Sequence, residues 1–322
     1  MKKRITIFCA CLLLAIAGMT ALSFAETIEE FNKTCPISAG TIVNVTNVNG
    51  RVAISTWDQS IAEVRAVKKT RHGKSELDAV TIEVTYSGNT LDIKTVYPRN
   101  RETDDESFFS RISHGFRDHG KSVTVDYTIS LPETAMLGNV RTTNGNVELR
   151  ETYGNTAVSS TNGSVIIENA VGIAEAHTTN GNVLLRNTRG NATVHTTNGS
   201  ITVENAEGEI SAWSTNGSIS LNGVTAIKEA HTTNGAIRVG VGKNMVTDMS
   251  LATTNGAINI SFPQAINADF DLSTSNGKVI APGGLTMTVE TISSKRLIAK
   301  LGTGGSKIRA RTTNGSITLN KQ

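Results

Sequence analysis

Residues 178–199 read Thr178-Thr179-Asn180-Gly181-Asn182-Val183-Leu184-Leu185-Arg186-Asn187-Thr188-Arg189-Gly190-Asn191-Ala192-Thr193-Val194-His195-Thr196-Thr197-Asn198-Gly199, so the tetrapeptide that opens the stretch also closes it, 18 residues on. The same tetrapeptide or a near variant recurs with its asparagine at Asn144, Asn162, Asn180, Asn198, Asn216 and Asn234, five consecutive intervals of 18. A fixed period of about 20 residues marks a chain that winds into stacked rungs, each burying its apolar side against its neighbours. The expected fold is all-β: a single-stranded parallel β-solenoid of 18–21 residues per coil.

Successive side chains of a strand point to opposite faces, so superposing the units separates inside from outside. After Asn-Gly, the columns Val147, Val165, Val183, Ile201, Ile219, Ile237 and Leu149, Ile167, Leu185, Val203, Leu221, Val239 are apolar and read as interior. Before it, Val140, Val158, Ala176, Val194, Ala212, Ala230 and then Thr142, Ser160, Thr178, Thr196, Ser214, Thr232 are narrower inward columns suited to a thin core. Asn-Gly between extended segments commonly marks a two-residue hairpin. Here identical columns demand that like stack on like, which is parallel pairing. The column Arg150, Glu168, Arg186, Glu204 alternates in sign from rung to rung, as in-register stacking at about 4.8 Å favours.

The tetrapeptide itself reads as a corner. Asn144, Gly145, Asn162, Gly163, Asn180, Gly181, Asn198, Gly199, Asn216, Gly217, Asn234 and Gly235 form a ladder in which Asn and Gly accept left-handed backbone and stacked amides bond up the column. A second corner carries Gly154, Gly172, Gly190 and Gly208, with Asn169, Asn187 and Asn205 beside it. The outward threonines from Thr143 to Thr233 offer the rival reading of a regular surface for ice or glycan. The period leaves open whether a coil has two or three sides. Right-handed winding is expected from the preference of parallel crossovers. A hexapeptide helix is disfavoured because Val147 is followed at intervals of six by Tyr153 and Ser159.

Beyond Asn234 the asparagines fall at 255, 276 and 314, intervals of 21, 21 and 38. Longer corner loops at Val241 to Asp248 and Phe262 to Asp269 account for the first two, and the third is read as two rungs, one of them a degenerate Ile292 to Ile298. Residues 136–322 form the expected repeat domain. Residues 26–135 hold a first rung at Asn49-Gly50 and an N-terminal antiparallel β cap built from Ala62 to Lys68, Val80 to Tyr86, Leu91 to Val96 and Val123 to Leu131. A charged insertion at 98–122 contains Phe108, Phe109, Ile112 and Phe116 at near-helical spacing. It reads as a surface insertion, or as a flap or partner-binding hook.

Residues 1–25 read as a signal peptide: Lys2, Lys3 and Arg4, an apolar run from Ile5 to Met19, and a small-residue site ending at Ala25. The chain is thus expected to be exported, to the periplasm, the cell surface or the medium, with no transmembrane span after the leader is removed. The whole chain has 31 Lys and Arg against 28 Asp and Glu; losing Lys2, Lys3 and Arg4 balances them at 28 each. A neutral protein has no global pull towards nucleic acid, which is excluded as a partner. Cys35 is then the single cysteine, so no intramolecular disulfide staples the fold.

One outward column breaks the pattern: Ser159, His177, His195, Trp213, His231. Stacking places His177 and His195 about 5 Å apart, and Trp213 could serve as a sugar platform. The plainer alternative is an exposed column filled by residues of good β-propensity. No carboxylate or thiol recurs beside the pair to complete a metal shell, the nearest outward neighbours being Glu175, Thr193 and Thr179, and no cofactor is expected. Polysaccharide-cleaving coils need clustered acids. No Asp occurs between Asp126 and Asp248, and repeat glutamates sit in columns opposite Arg, so the chain is expected not to be an enzyme.

Val48-Asn49-Gly50-Arg51-Val52, the iterated Thr-Thr-Asn-Gly, the stretch Ala268 to Val279 with its Asp-Phe-Asp-Leu-Ser-Thr-Ser-Asn-Gly, and the closing Thr312 to Ile317 resemble the bacterial putative-adhesin family of β-strand-repeat proteins, over roughly residues 42–319. That resemblance implies an envelope or adhesive role and no catalytic residues to carry over. The leading expectation is a non-enzymatic cell-envelope scaffold about ten rungs or 50 Å long, binding an envelope glycan or protein. A self-assembling structural protein and a carbohydrate-active enzyme on a β-helix are the alternatives.

Overall fold

The computed structural model describes residues 26–98, 122–242, 247–263, 266–283 and 287–321. The leader at 1–25 and residues 99–121 of the charged insertion lie outside the described residues. Among the described residues, 27 strands build two long sheets of 13 and 14 strands, neither closed on itself, beside one short helix, Lys74–Asp78. Each 18-residue unit gives one strand to each sheet. The segment before Asn-Gly, such as Ala174–Asn180, joins the 14-stranded sheet, and the segment after it, such as Val183–Arg186, joins the 13-stranded one.

Pairing through the repeat is parallel and in register at 18 residues: Val165 opposite Val183 opposite Ile201 in one sheet, Ala176 opposite Val194 opposite Ala212 in the other. All four inward columns are buried, including the hydroxyl column from Thr142 to Thr232. The two inner faces share one hydrophobic core. Parallel strands are normally buried on both faces. Here their outer faces are mostly polar, with Thr, Ser, Glu and Arg alongside a few apolar residues such as Ile166 and Leu184, so each sheet alternates much like an antiparallel one.

A buried hydroxyl needs a partner, and the geometry supplies the same one on every rung. Ser160, Thr178, Thr196, Ser214 and Thr232 donate to the carbonyl oxygens of Gly145, Gly163, Gly181, Gly199 and Gly217 on the preceding rung, at 2.8 to 2.9 Å. The glycines answer the same closeness. A Cβ on Gly181 would overlap the backbone of Gly163, and the relation repeats from Gly163 through Gly235. Left-handed backbone is therefore not what glycine supplies at the Asn-Gly corners from Gly145 to Gly235, whereas Gly50 of the first rung has a φ of 119°. The positive φ values sit at the second corner, at Asn169, Asn187 and Asn205 (52 to 55°) and at Gly172, Gly190 and Gly208 (125 to 133°).

The charged column closes as ion pairs. Arg186 Nη1 lies 2.9 Å from Glu168 Oε1 and its Nε 2.9 Å from Glu204 Oε2, and Arg150 reaches Glu168 at 3.4 Å. These pairs are half-exposed, so they report register more than they supply stability. Arg186→Glu would line up three carboxylates on consecutive rungs. The expected result is a lower urea midpoint, with a deficit that shrinks in 1 M salt; a midpoint unchanged at low salt would contradict the column.

One expectation needs correction at the C-terminal end. Ile292 to Ile298 is not a degenerate rung: Met287–Ile292 and Arg296–Leu301 form an antiparallel hairpin, and the latter pairs antiparallel with Ala268–Thr274. The rungs also do not stack in chain order. Ser306–Thr312 sits between Met249–Asn255 and Ala268–Thr274, parallel to both, so the last tetrapeptide is inserted ahead of the one before it. The long connection that carries the hairpin gives the chain room to return. At the other end, the strands of the N-terminal third do not form a sheet of their own. Thr27–Pro36, Ile61–Thr70 and Thr124–Pro132 prolong the 13-stranded sheet by antiparallel pairs, and Thr124–Pro132 then joins Val52–Trp57 in parallel. The hairpin of Thr81–Ser87 and Thr90–Val96 prolongs the 14-stranded sheet, joined in parallel to Ile42–Thr46. The Asn49-Gly50 rung docks on Asn144, whose Nδ2 donates to Asn49 Oδ1 at 2.7 Å.

Candidate functional site

The outer face of the 14-stranded sheet carries the irregular column. Register places Ser159, His177, His195, Trp213 and His231 side by side on adjacent strands. The His177 and His195 rings lie 6.0 Å apart between centroids, tilted by 38°. Burial, followed by the neighbouring His177 charge, holds the His195 imidazole below the usual histidine range. His231 Nε2 is sheltered from solvent and lacks a hydrogen-bond partner among the described residues; its nearest carboxylate oxygen, Glu229 Oε2, stands at 3.8 Å.

The column continues past the residues the repeat had singled out. His231 pairs with Ala252, Ala252 with Arg311, and Arg311 with Ser273. Arg311 precedes Thr-Thr-Asn-Gly as His177 does, so its column was legible in the sequence; what hid its proximity was the inserted last rung. A groove of about 670 Å³ opens between this column and the outward hydroxyl rows, lined by His195, Trp213, His231 and Arg311 together with Thr233, Thr254 and Thr313. It offers an indole face, imidazole nitrogens, a guanidinium and a bank of hydroxyls. That set suits a hydroxyl-rich ligand held by an aromatic platform and fixed by polar side chains.

The corner ladder lies at the edge of the same face. Asn162 Nδ2 donates to Asn144 Oδ1, Asn180 to Asn162, Asn198 to Asn180, Asn216 to Asn198 and Asn234 to Asn216, each at 2.8 to 2.9 Å. It runs on through Asn255, Asn314 and Asn276 in their spatial order. Each amide is thereby committed to its neighbours, so the polar groups the face offers next to the ladder are the adjacent threonines and the column of His and Trp. Among the described residues no cluster of three or more His, Cys, Asp or Glu is placed to hold a metal ion. Cys35 is buried and unpaired with another cysteine. No helix among the described residues is long and apolar enough to cross a membrane.

No curated protein matches the chain. Solved structures similar to it include one described as a putative lipid binding protein from Parabacteroides distasonis ATCC 8503, at 14% identity over 91% of this chain and 96% of that one, with a TM-score of 0.48. A putative adhesin from the same organism is 12% identical over 90% and 97% of the two chains, with a TM-score of 0.47. A putative adhesin from Bacteroides fragilis NCTC 9343 is also 12% identical, over 91% and 97%, with a TM-score of 0.37. The family model described as Toastrack DUF4097 matches residues 42–320, nearly the whole of the two sheets, and the chain belongs to that family.

Proposed function

We propose that this chain is an exported, non-enzymatic, adhesin-like scaffold that binds an envelope polymer through the outer face of its 14-stranded sheet. In this reading residues 1–25 are a signal peptide removed on export, the coil winds to the right, and the N-terminal strands of residues 26–135 cap one end of the repeat. The observation that carries the reading is the groove over Trp213, His231 and Arg311: an indole, an imidazole and a guanidinium open beside a row of outward threonines that repeats almost without change. A solenoid must repeat to exist, so recognition is sought where the repeat is broken. An aromatic ring among imidazoles and hydroxyls offers stacking and hydrogen bonds to a sugar polymer.

The test is binding of residues 26–322 to a panel of envelope glycans, repeated with Trp213→Ala. Binding that falls about tenfold or more with the indole removed, a loss of about 1.4 kcal/mol, supports the site. No binding to any glycan, or binding indifferent to Trp213→Ala, overturns it.

A further inference from the structure

Followed from Lys94 to Arg296, the outward column has a consistent electrostatic character. It begins at Lys94 and Arg141, passes through His177, His195, Trp213 and His231, and ends at Arg311 and Arg296, and the positions between are small and uncharged. Between those residues no acidic side chain stands along it; the acid in the same row, Glu83, lies beyond Lys94 on the edge strand Thr81–Ser87. The column on one side is the hydroxyl row ending in Thr254 and Thr313. The column on the other side holds the acids Asp92, Glu175, Glu229 and Asp271 and the base Arg309, and Asp271 is faced by Arg296 at 3.9 Å and Arg311 at 4.0 Å. The groove opens on the hydroxyl side, and Glu175, Glu229 and Asp271 do not line it. A low-walled track of one charge sign focuses the field along its length.

We propose that this track takes a linear anionic polysaccharide of the polyuronate type, laid along the coil axis, and that acidification tightens its hold by charging the three histidines. The inference rests on the reading of this face as a polymer-binding surface and names the polymer's chemistry. Rungs advance by about 4.8 Å, close to the length of one sugar unit in an extended chain, so successive carboxylates can meet successive positions of the column. Threonine hydroxyls match sugar hydroxyls beside them. A single-stranded nucleic acid would call for a series of stacking aromatics, and this column holds one, Trp213.

The other charged groups around the histidines are few. Glu175 shares the strand of His177, Glu209 that of Trp213, and Lys228 and Glu229 that of His231; Lys228 lies 3.8 Å from Glu209. The flanking strands Thr156–Asn162 and Met249–Asn255 carry no charged side chain. In the free protein the lowered His195 pKa means that stability is full above the ordinary histidine range and is lost as pH falls through the lowered value. A polyanion over the column opposes that loss by favouring the charged ring.

Residues 26–322 would be titrated with polygalacturonate, with a neutral glucan of similar length and with single-stranded DNA, at pH 5.5 and 7.5. Polygalacturonate is expected to bind about tenfold tighter at the lower pH. That gain should vanish in the triple variant His177→Gln, His195→Gln, His231→Gln. Arg311→Gln should weaken binding several-fold at both pH values, whereas Arg189→Gln, an equal loss of charge at the second corner, should leave it unchanged. Equal binding at both pH values, a gain that persists in the triple variant, or DNA bound as tightly as polygalacturonate would overturn the inference. Neutral glucan binding as well as polygalacturonate, and lost with Trp213→Ala, would overturn it while leaving the polymer-binding reading intact; failure of all three probes together with the wider glycan panel would sink both.

Discussion

Gly181→Ala is expected to lower the urea midpoint of the coil by an amount equivalent to about 3 kcal/mol, at the upper end of what overpacking costs. A Cβ at this position would stand 2.5 Å from the carbonyl carbon of Gly163 and 2.9 Å from the amide nitrogen of Ser164. Both are backbone atoms of the neighbouring rung, held by the ladder on either side, so no flexible side chain can swing away. The two rungs must part, and parting them weakens the ladder of both sheets at that level. Gly283→Ala is the control: nothing lies within 4 Å of its Cβ position and its backbone is not left-handed. There the change should stay within about 0.5 kcal/mol and could be of either sign. A Gly181→Ala midpoint matching that of Gly283→Ala would mean that the rungs are not in backbone contact at this corner.

The second large effect divides the two threonines of one tetrapeptide. Thr196 is fully buried and its Oγ1 donates to Gly181 O at 2.9 Å. Thr197 points outward. Valine preserves the shape of either residue, so Thr196→Val removes only the hydrogen bond and leaves a buried carbonyl without that donor, at a cost of about 1 to 2 kcal/mol. Thr197→Val should cost little, because an outward, partly exposed strand position accepts a β-branched apolar residue readily. Chemical denaturation of the two variants side by side checks the difference. Equal losses, or a larger loss at Thr197, would contradict the inward and outward assignment of the tetrapeptide.

The repeat made much of this legible because periodicity is a long-range constraint written locally. Identical residues every 18 positions can satisfy their environment only if identical positions stack, and that alone forced parallel register and the four inward columns. Sign alternation at Arg150, Glu168, Arg186 and Glu204 carried the same information in charge. What glycine does at the corner was not legible. A column of Gly is compatible with positive φ or with lack of room for a Cβ, and the interpenetrating backbones that choose between them exist only in three dimensions.

Rung order at the C-terminal end was hidden for a different reason. The units at Asn255, Asn276 and Asn314 carry nearly the same tetrapeptide, so each can stack on any other, and the choice lies with the connections. The antiparallel hairpin of Met287–Ile292 and Arg296–Leu301 occupies the far side of Ala268–Thr274 and leaves its near side to Ser306–Thr312. That order brings Arg311 within one strand of Ala252 and two of His231, converting three histidines and a tryptophan into a longer basic track.

Distances between spin labels test the stacking most directly. With Cys35→Ser as background, one label is placed at Thr161→Cys and the second at Thr254→Cys, Thr313→Cys or Ser275→Cys, all on the outward row beside the tetrapeptide asparagines. Five, six and seven rungs at about 4.8 Å each predict backbone separations of about 24, 29 and 34 Å, rising by one rung per step. Position 313 should therefore lie nearer to 161 than position 275 does, although it is 38 residues further along the chain. A 161–275 distance shorter than 161–313, or steps that do not follow the rung spacing, would contradict the in-register coil with its inserted last rung.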